Sequence, residues 1–428
     1  MKIIIVGGGW AGCAAALSAK KFCDDVILVE RTDMLLGTGL VGGIMNNNGR
    51  FTAAEEMISM GGGELFNLIE ENLLHRKLDF PGHKNASIYN TAIIEAVVRK
   101  FLTDNKITIY DSSRFFDAEI RNNKIHTIKI KHNNDNLTLS ADVFIDATGT
   151  AGPGSNCTKF GHGCVMCILR CPSFGGRVSL AAKAGVQEIA AVRGDSFGGM
   201  SGACKLMKES LSSKIANKLN NTGIAIIPIP EEIRRKLDIS DLLSSKVCQQ
   251  YALPEFKDSI ILIDSGKGKM MLPYFPLNEL RKIDGFENAR YEDHYAGSKG
   301  NSIRYMAMSP RDNTLKVDGI DNLFCAGEKC GQCVGHTEAI CTGTLAGYNA
   351  TMYMNKGKII KLSTELAVGE FIRFSGAQLK NRKVEGIKCT FSGAQFFQRM
   401  KDKGLYITDI EKIKNKVANL GLSNLFSK

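Results

Sequence analysis

The chain begins with Ile3-Ile4-Ile5-Val6-Gly7-Gly8-Gly9-Trp10-Ala11-Gly12, an apolar run followed at once by a G-x-G-x-x-G motif. Four consecutive apolar residues are typical of a parallel strand that is buried on both faces. The next residues are mostly small, as in a helix that packs closely on a sheet. In such a motif Gly7 permits a tight turn, Gly9 lets a pyrophosphate approach the backbone, and Gly12 permits close contact between helix and strand. The stretch therefore predicts a Rossmann-type dinucleotide site with the phosphates at the helix N-terminus.

A second strand with a terminal acid follows. Residues 25–29 read Asp-Val-Ile-Leu-Val, and Glu30 comes directly after them. An acid at this place accepts hydrogen bonds from a ribose diol and disfavours a 2′-phosphate on that ribose. The alternative is an ordinary strand, turn and helix with incidental glycines. It would not supply strand, glycines, small-residue helix, second strand and acid in order within about one βαβ unit.

The composition is that of a folded, basic protein. The chain has 428 residues, 44% of them hydrophobic, so we expect two units that share a substantial core. Apolar stretches such as Gly223 to Pro230 are far too short to span a bilayer, and we expect a cytoplasmic protein without membrane contact. The net charge of +11 would attract polyanions such as RNA. The lysines are dispersed, however, which favours a solvated surface.

The middle of the first part adds a recognisable order of elements. We predict a helix over residues 88–102, a strand over 107–110, a small meander at 115–120, 124–131 and 137–139, and a buried strand at 143–146. Ala147-Thr148-Gly149 follows that last strand. This order resembles the glutathione-reductase-like FAD fold, including its Ala-Thr-Gly segment. The resemblance implies that the dinucleotide is FAD.

A late segment resembles the closing strand of the same fold. Residues 322–328 read Asn-Leu-Phe-Cys-Ala-Gly-Glu. In the family the terminal acid approaches the FAD ribityl chain, and here that acid is Glu328 where Asp is commoner. The resemblance also implies that the next helix, from about Thr337, aims its N-terminus at the flavin pyrimidine ring, where it stabilises negative charge on the reduced flavin. The glycine-rich loop from Gly37 to Gly49 should lie over the flavin or its pyrophosphate.

These motifs and the resemblance together give a set of candidate FAD contacts. The set comprises Gly7, Gly9, Trp10, Ala11, Gly12, Glu30, Arg31, Gly42, Phe115, Thr148, Gly149, Gly327, Glu328, His336 and Thr337.

A narrower resemblance covers about a third of the chain. The blocks from Ile283 to Ala289 and from Thr342 to Ala350, together with the segments between them, are similar to the tRNA-modifying flavoproteins. These are glucose-inhibited division protein A and the folate- and FAD-dependent tRNA uridine methyltransferase. Two departures oppose the transfer of that activity. No cysteine lies between Glu30 and Asn156, and Tyr274-Phe275-Pro276 stands where a second family cysteine is expected.

Four cysteines follow the Ala-Thr-Gly segment at short intervals. Cys157, Cys164, Cys167 and Cys171-Pro172 give the spacing C-x6-C-x2-C-x3-C-P. Bacterial ferredoxin runs end in C-x2-C-x3-C-P, and four thiolates are what a [4Fe–4S] cluster requires. A tetrahedral zinc site would use the same ligands, and free thiols or a redox disulfide are the remaining alternatives. A neighbouring flavin favours iron, because a cluster accepts the single electrons that a flavin can release.

A second group of cysteines lies near the predicted flavin. Cys325, Cys330 and Cys333 have the spacing of plant-type [2Fe–2S] ligands, but Cys325 falls within the predicted closing strand. We interpret Cys330 and Cys333 as a redox dithiol beside the isoalloxazine. Two small residues in a glycine-rich loop are the alternative. His336 is a candidate proton donor, or it only caps the helix.

The sequence therefore predicts an α/β protein, a Rossmann-type FAD-binding domain of the glutathione-reductase-like kind. We divide it into a first FAD part (1–156), the cysteine motif with an inserted substrate-facing domain (157–300), a closing FAD part (301–352) and a helical C-terminal tail (353–428). The predicted function is an FAD-dependent oxidoreductase with a [4Fe–4S] cluster, and NAD(P)H is a possible donor. Its partner would be a small-molecule substrate or a redox protein, and a homo-oligomer is possible. The alternatives are an RNA-modifying flavoprotein and an electron-transfer subunit without its own substrate.

Overall fold

The computed structural model describes residues 1–149, 178–193, 196–197, 199–200, 204–244, 246, 248–272, 275–292, 303–304, 306–380 and 384–427. Within these ranges the protein belongs to the α/β class, as the sequence predicts. The division at residues 156, 300 and 352 stays a prediction.

The described strands, β1 to β21 in chain order, are Lys2–Val6, Asp25–Val29, Ile44–Met45, Leu73–Phe80, His83–Tyr89, Thr108–Tyr110, Ser113–Arg121, Lys124–His132, Asp135–Ser140, Val143–Asp146, Ile189–Arg193, Ser196–Phe197, Gly199–Met200, Cys204–Leu206, Ile224–Pro228, Ser259–Asp264, Gly268–Met270, Ile303–Arg304, Ala307–Met308, Leu323–Cys325 and Val384–Glu385.

The described α-helices, α1 to α15 in chain order, are Trp10–Lys20, Gly39–Gly42, Gly49–Ser59, Glu64–Glu71, Ile94–Asp104, Leu180–Lys183, Ser213–Thr222, Glu231–Lys236, Ile239–Ser244, Glu255–Asp258, Leu277–Leu280, His336–Met354, Ala367–Lys380, Ala394–Asp402 and Ile410–Asn419. Short 3-10 turns are described at Lys208–Ser210, Gln249–Tyr251 and Gly327–Lys329.

A parallel sheet of five strands organises the first part of the chain, in the order β20-β10-β1-β2-β6. Strand β1 is central, and its Ile4 lies between Ile27 of β2 and Phe144 of β10. All three side chains are buried, which explains the apolar run at the start of the sequence. Strand β20 adds to the edge beside β10, so the late segment returns to the first sheet as predicted.

Several smaller sheets complete the fold. Strands β7, β8 and β9 form the predicted antiparallel meander. A four-stranded antiparallel sheet, in the order β14-β17-β16-β15, has its own apolar core, which includes Ile261 and Phe286. The short sheet β3-β5-β4 contributes Ile44 and Ile88 to the same core. Within the described residues, the buried apolar side chains thus form two clusters.

The predicted helix over residues 88–102 has a wrong start. Ile88 lies in β5 and pairs with Ile44, and helix α5 begins only at Ile94. The helical C-terminal tail is confirmed by α13, α14 and α15. In the described ranges, no helix has both the length and the apolar composition needed to cross a bilayer.

Helices α1 and α12 touch backbone to backbone, because α12 presents glycine at the contact. A Cβ on Gly343 would lie 2.2 Å from the Ala11 carbonyl oxygen, and a Cβ on Gly347 would lie 2.3 Å from that of Ala15. Both distances are shorter than real Cβ contacts. The alanine-rich face of α1 leaves the matching space. Glycine is therefore required at both positions of α12.

We predict that Gly347→Ala destabilises the protein by about 2 kcal/mol, because the added methyl group must push α12 away from α1. Helix propensity alone would make the variant more stable, since alanine is favoured over glycine by about 1 kcal/mol in a helix. Urea unfolding of the two proteins measures the difference. Gly357→Ala is the matched control: its Cβ would lie 3.4 Å from the nearest atom, an ordinary contact. If Gly347→Ala and Gly357→Ala have the same unfolding free energy, the contact between α1 and α12 does not require glycine at position 347.

Candidate flavin site

A large cleft opens at the carboxyl ends of the parallel strands. It contains about 1560 Å³ of empty space, its open mouth included. Val6 and Val29, the last residues of β1 and β2, line it, as do Ala147 and Ala326 just beyond β10 and β20. This edge is where open α/β sheets bind their ligands.

Most of the predicted cofactor contacts converge on this cleft. Gly12 and Thr337 do not line it, and Thr337 is buried in the first turn of α12. The predicted contacts that do line the cleft are Gly7, Gly9, Trp10, Ala11, Glu30, Arg31, Gly42, Phe115, Thr148, Gly149, Gly327, Glu328 and His336.

The three glycines of the motif have three different environments. Gly7 has a φ of +107°, and a Cβ there would lie 2.3 Å from the Ala147 carbonyl oxygen. A Cβ on Gly12 would lie 1.8 Å from the Gly7 carbonyl oxygen, so this glycine permits the close turn into α1. Around Gly9, no described atom lies within 4 Å of a Cβ, and the residue lines the cleft. The backbone at Gly9 is thus open to a ligand, and a pyrophosphate fits there.

Glu30 is held rigidly at the end of β2. It is 9% exposed, and its two carboxylate oxygens accept hydrogen bonds from the backbone N–H of Gly8 at 2.8 Å and of Thr32 at 2.9 Å. Oε1 also accepts from the Thr32 hydroxyl at 3.1 Å, and Oε2 can accept a further bond. The carboxylate therefore suits a ribose diol in the cleft.

His336 begins α12 and belongs to a chain of hydrogen bonds that the sequence did not reveal. The Tyr89 hydroxyl donates to the Gly39 carbonyl oxygen at 2.7 Å and accepts from the Trp10 indole N–H at 3.2 Å. His336 Nδ1 lies 3.0 Å from the same hydroxyl. Since the hydroxyl proton is already donated, Nδ1 carries the hydrogen in this bond. The imidazole also packs on Gly42, where a Cβ would lie 2.0 Å from its Cε1.

The two thiols predicted as a redox pair are neighbours. Cys330 Sγ lies 3.9 Å from Cys333 Sγ, and both residues are fully buried. Cys333 lines the cleft, whereas Cys330 does not. The hydrogen bond with Cys333 lowers the pKa of the Cys330 thiol, while burial raises the pKa of Cys333. The pair thus consists of a thiol in the cleft wall and a more acidic thiol behind it.

The buried ion pair of Arg50 and Glu338 was missed by sequence reasoning. Arg50 Nε lies 3.1 Å from Glu338 Oε1, and Arg50 also lines the cleft. The same carboxylate oxygen accepts from the Phe391 N–H at 2.9 Å. The pair joins α3 to the start of α12 and fixes the helix end on which His336 lies. The residues are far apart in sequence, and no local motif marks them.

Lysines form another part of the wall that the sequence did not indicate. Lys246, Lys269 and Lys388 line the cleft together with Cys248 and Tyr251. Lys246 precedes β16, Lys269 lies in β17, and Lys388 follows β21. Only the fold brings them together.

His83 lies behind this wall as a neutral imidazole. Its Nδ1 accepts from the Asn47 amide at 2.8 Å, and its Nε2 donates to the Gln250 carbonyl oxygen at 3.1 Å. Its ring lies on that of Tyr251, with centroids 4.9 Å apart. Burial lowers the pKa of His83 to about 3, and the charge of Arg50 contributes in the same direction. His83 therefore connects two sides of the wall without carrying charge.

The four cysteines predicted to ligate a cluster, Cys157, Cys164, Cys167 and Cys171, lie outside the described residues. Over the described ranges, no three His, Cys, Asp or Glu side chains are grouped as metal ligands would be.

Two segments of the chain match known families. Residues 2–152 match the family of FAD dependent oxidoreductases. The chain resembles these enzymes. Residues 271–358 match the family of Glucose inhibited division protein A. No curated protein matches the sequence at a significant level.

The fold is similar to that of GidA from Aquifex aeolicus. Its form II crystal structure has a TM-score of 0.64 and 16% identity, covering 98% of this chain and 76% of GidA. The form I crystal structure has a TM-score of 0.60 and 15% identity, covering 98% and 78%. Identity at this level shows a common fold. With the match over residues 2–152, it supports FAD as the cofactor and an oxidoreductase as the class of enzyme.

We predict that acid weakens the protein through His83. The unfolded chain binds a proton near the ordinary pKa of 6.5, but the folded protein does so only near pH 3. Stability present above pH 6.5 is therefore lost as the pH falls toward 3. Between pH 7 and pH 5 the wild type should lose about 2 kcal/mol more unfolding free energy than His83→Gln, whose amide can keep both hydrogen bonds. Urea unfolding at the two pH values measures this.

His126→Gln is the control for this measurement, because His126 is an exposed histidine in the meander. It should show the pH dependence of the wild type. If His83→Gln does so as well, His83 does not titrate as its burial implies.

Proposed function

We propose that this protein is an FAD-dependent oxidoreductase that acts on a small molecule held in the cleft against the flavin. The observation that carries the proposal is the environment of Gly9. Its backbone is open to the cleft at the N-terminus of α1, while Gly7 and Gly12 are closed by backbone contacts. This is the arrangement that a dinucleotide pyrophosphate needs.

Each end of the cofactor has residues that fit it. Glu30 would accept hydrogen bonds from the adenosine ribose, and Glu328 lies in the wall where the ribityl chain would pass. The N-terminus of α12, with His336, would face the pyrimidine ring of the flavin. Bound FAD supplies two-electron and single-electron chemistry. The protein would bind and orient it, and the Tyr89 hydroxyl would hold His336 in the wall of the cleft beside the flavin.

Cys330 and Cys333 fit the role of a dithiol that exchanges electrons with the flavin. Cys333 lines the cleft, and Cys330 is the thiol with the lowered pKa. Oxidation of the pair would form one S–S bond, release two protons and give two electrons to the flavin. The reverse reaction would consume two electrons and two protons.

A [4Fe–4S] cluster remains part of the proposal because of the cysteine spacing alone. Cys157, Cys164, Cys167 and Cys171 would ligate it, with NAD(P)H as a possible donor and a redox protein as a possible partner. The thirteen cysteines suit a reducing compartment, and we propose the cytoplasm.

RNA modification is the second candidate function. It is favoured by the match of residues 271–358 to Glucose inhibited division protein A and by the net charge of +11. Such an activity requires RNA binding that weakens steeply with salt. Salt-independent or absent RNA binding would leave the small-molecule reaction as the proposed function.

We predict that Glu30→Ala weakens FAD binding at least tenfold, because it removes a charged acceptor from the ribose and leaves two backbone N–H groups unpaired. Quenching of FAD fluorescence during titration of the apoprotein measures the affinity. Glu119→Ala is the control, since Glu119 is a carboxylate on the meander that pairs with Arg121. It should bind FAD like the wild type. Failure of the wild type to bind FAD would refute the proposed function.

We predict that anaerobically purified protein contains about four irons and four sulfides per chain and loses both in Cys167→Ser. Reductive titration should consume an extra pair of electrons beyond those taken up by the flavin and the cluster in the wild type, and Cys333→Ser should lose that pair. Cys23→Ser, at a buried cysteine with no role in the proposal, is the control for both. If the purified protein contains its full complement of flavin but no iron, the cluster is absent. The reductive titration then tests the dithiol alone.

A further inference from the structure

Two lysines in the cleft wall are almost completely buried. Lys246 is 1% exposed and Lys269 is 7% exposed. Lys246 Nζ donates to the Met271 carbonyl oxygen at 2.8 Å, and Lys269 Nζ donates to the Gly42 carbonyl oxygen. A charged ammonium group has three N–H donors. Both lysines therefore keep donors for another acceptor.

Neither lysine has a counter-ion in the described part of the chain. No described carboxylate lies within ion-pair distance of Lys246 or Lys269, and Arg50, the neighbouring cation, is already paired with Glu338. Burial lowers the pKa of Lys246 to about 8. Burial, and then the neighbouring Lys205, lowers the pKa of Lys269 well below its ordinary value. A buried ammonium without a partner costs several kcal/mol, and an anion bound beside these side chains would offset that cost and favour their charged form.

The lysines adjoin the predicted flavin position. Lys269 bonds to Gly42, and Gly42 packs on the imidazole of His336. Lys388 lines the same cleft from the segment after β21. The cationic groups therefore lie beside the end of the cleft where the flavin ring would react.

The phosphates of FAD have another place to bind. The open backbone of Gly9 and the N-terminus of α1 suit the pyrophosphate, whereas Lys246 and Lys269 hydrogen-bond to Met271 and Gly42 instead. An anion beside these lysines would thus belong to a second ligand. Lys246 Nζ also lies 5.6 Å from the centroid of the Tyr251 ring, and Tyr251 lines the same cleft.

We propose that Lys246 and Lys269, together with Lys388, bind the anionic group of a small organic acid, a carboxylate or a phosphate, and so hold the substrate against the flavin. The inference rests on the proposed function, because FAD defines which end of the cleft is reactive. The lysines position the substrate through charge-assisted hydrogen bonds, which are about twice as strong as neutral ones. The bound anion would then offset the free-energy cost of removing the lysine ammonium groups from water.

The test uses the FAD-loaded full chain with three probes: succinate, inorganic phosphate and the neutral diamide succinamide. Anion binding is followed by the visible flavin band and, independently, by the midpoint of thermal unfolding. We expect a saturable change with succinate, with phosphate or with both, and none with succinamide. Succinate alone would identify a carboxylate substrate, and phosphate alone would identify a phosphorylated one.

The decisive variants are Lys246→Met and Lys269→Met. Each should weaken anion binding at least tenfold, while the unfolding midpoint without anion stays equal or rises, because an uncompensated buried charge is removed. Lys388→Met, at a less buried residue, should weaken binding in the same direction and serves if the buried variants do not fold. Lys282→Met is the control, since Lys282 is an exposed lysine that pairs with Glu279, and its binding should be unchanged.

Three binding results would overturn the proposal: no saturable change with either anion, equal binding in wild type and lysine variants, or an equal response to succinamide. A lower unfolding midpoint in all three variants without anion would likewise assign the lysines a structural role. Failure of FAD binding is distinguishable: the flavin band would then be absent, while the anion-dependent unfolding midpoint of the apoprotein still tests the lysines.

Discussion

The contact between α1 and α12 is the constraint on which the site depends. Gly343 and Gly347 let the two helix backbones meet, and the helices then start at the same cleft. The rings of Trp10 and His336, the first residues of the two helices, have centroids 6.4 Å apart. Each N-terminus carries a partial positive charge. The N-terminus of α1 suits a pyrophosphate, and the N-terminus of α12 suits the electron-rich end of a reduced flavin. Both binding sites therefore depend on the close packing of these two helices.

The cleft wall contains buried charge of two kinds, and the difference is informative. Arg50 Nε lies 3.1 Å from Glu338 Oε1, so each of these two charges has its counter-ion within the protein. The ion pair joins α3 to α12. Lys246 and Lys269 hydrogen-bond to backbone carbonyls, and Lys246 Nζ also lies over the Tyr251 ring, but no described carboxylate pairs with either lysine. A fold selected for stability alone would place apolar side chains there, because a buried pair or a lone charge is seldom more stable than good apolar packing. Since no described residue neutralises the charges of these two lysines, they indicate an anionic ligand that would neutralise them.

Features of the site that depend on sequence neighbours could be predicted. The roles of Gly7, Gly9 and Glu30 follow from a strand, a turn and a helix within one βαβ unit, and the structure places all three at the cleft. Tyr89 and Lys246 could not be predicted, because their chemistry depends on which distant segments the fold brings beside them. The start of helix α5 at Ile94 could not be predicted for a related reason. Apolar spacing shows that a helix exists, but not where the preceding strand β5 ends.

The cysteines show why spacing alone does not define a metal site. Cys325, Cys330 and Cys333 have the intervals of a plant-type cluster, yet Cys325 is fixed in β20 opposite Asp146, within a parallel sheet. Cys330 and Cys333 lie on the loop, and their sulfurs are 3.9 Å apart. Among the described residues, no three His, Cys, Asp or Glu side chains are grouped as metal ligands would be, although the spacing suits a cluster. Two thiols, one in the cleft wall and one behind it, can exchange a pair of electrons by making and breaking one bond.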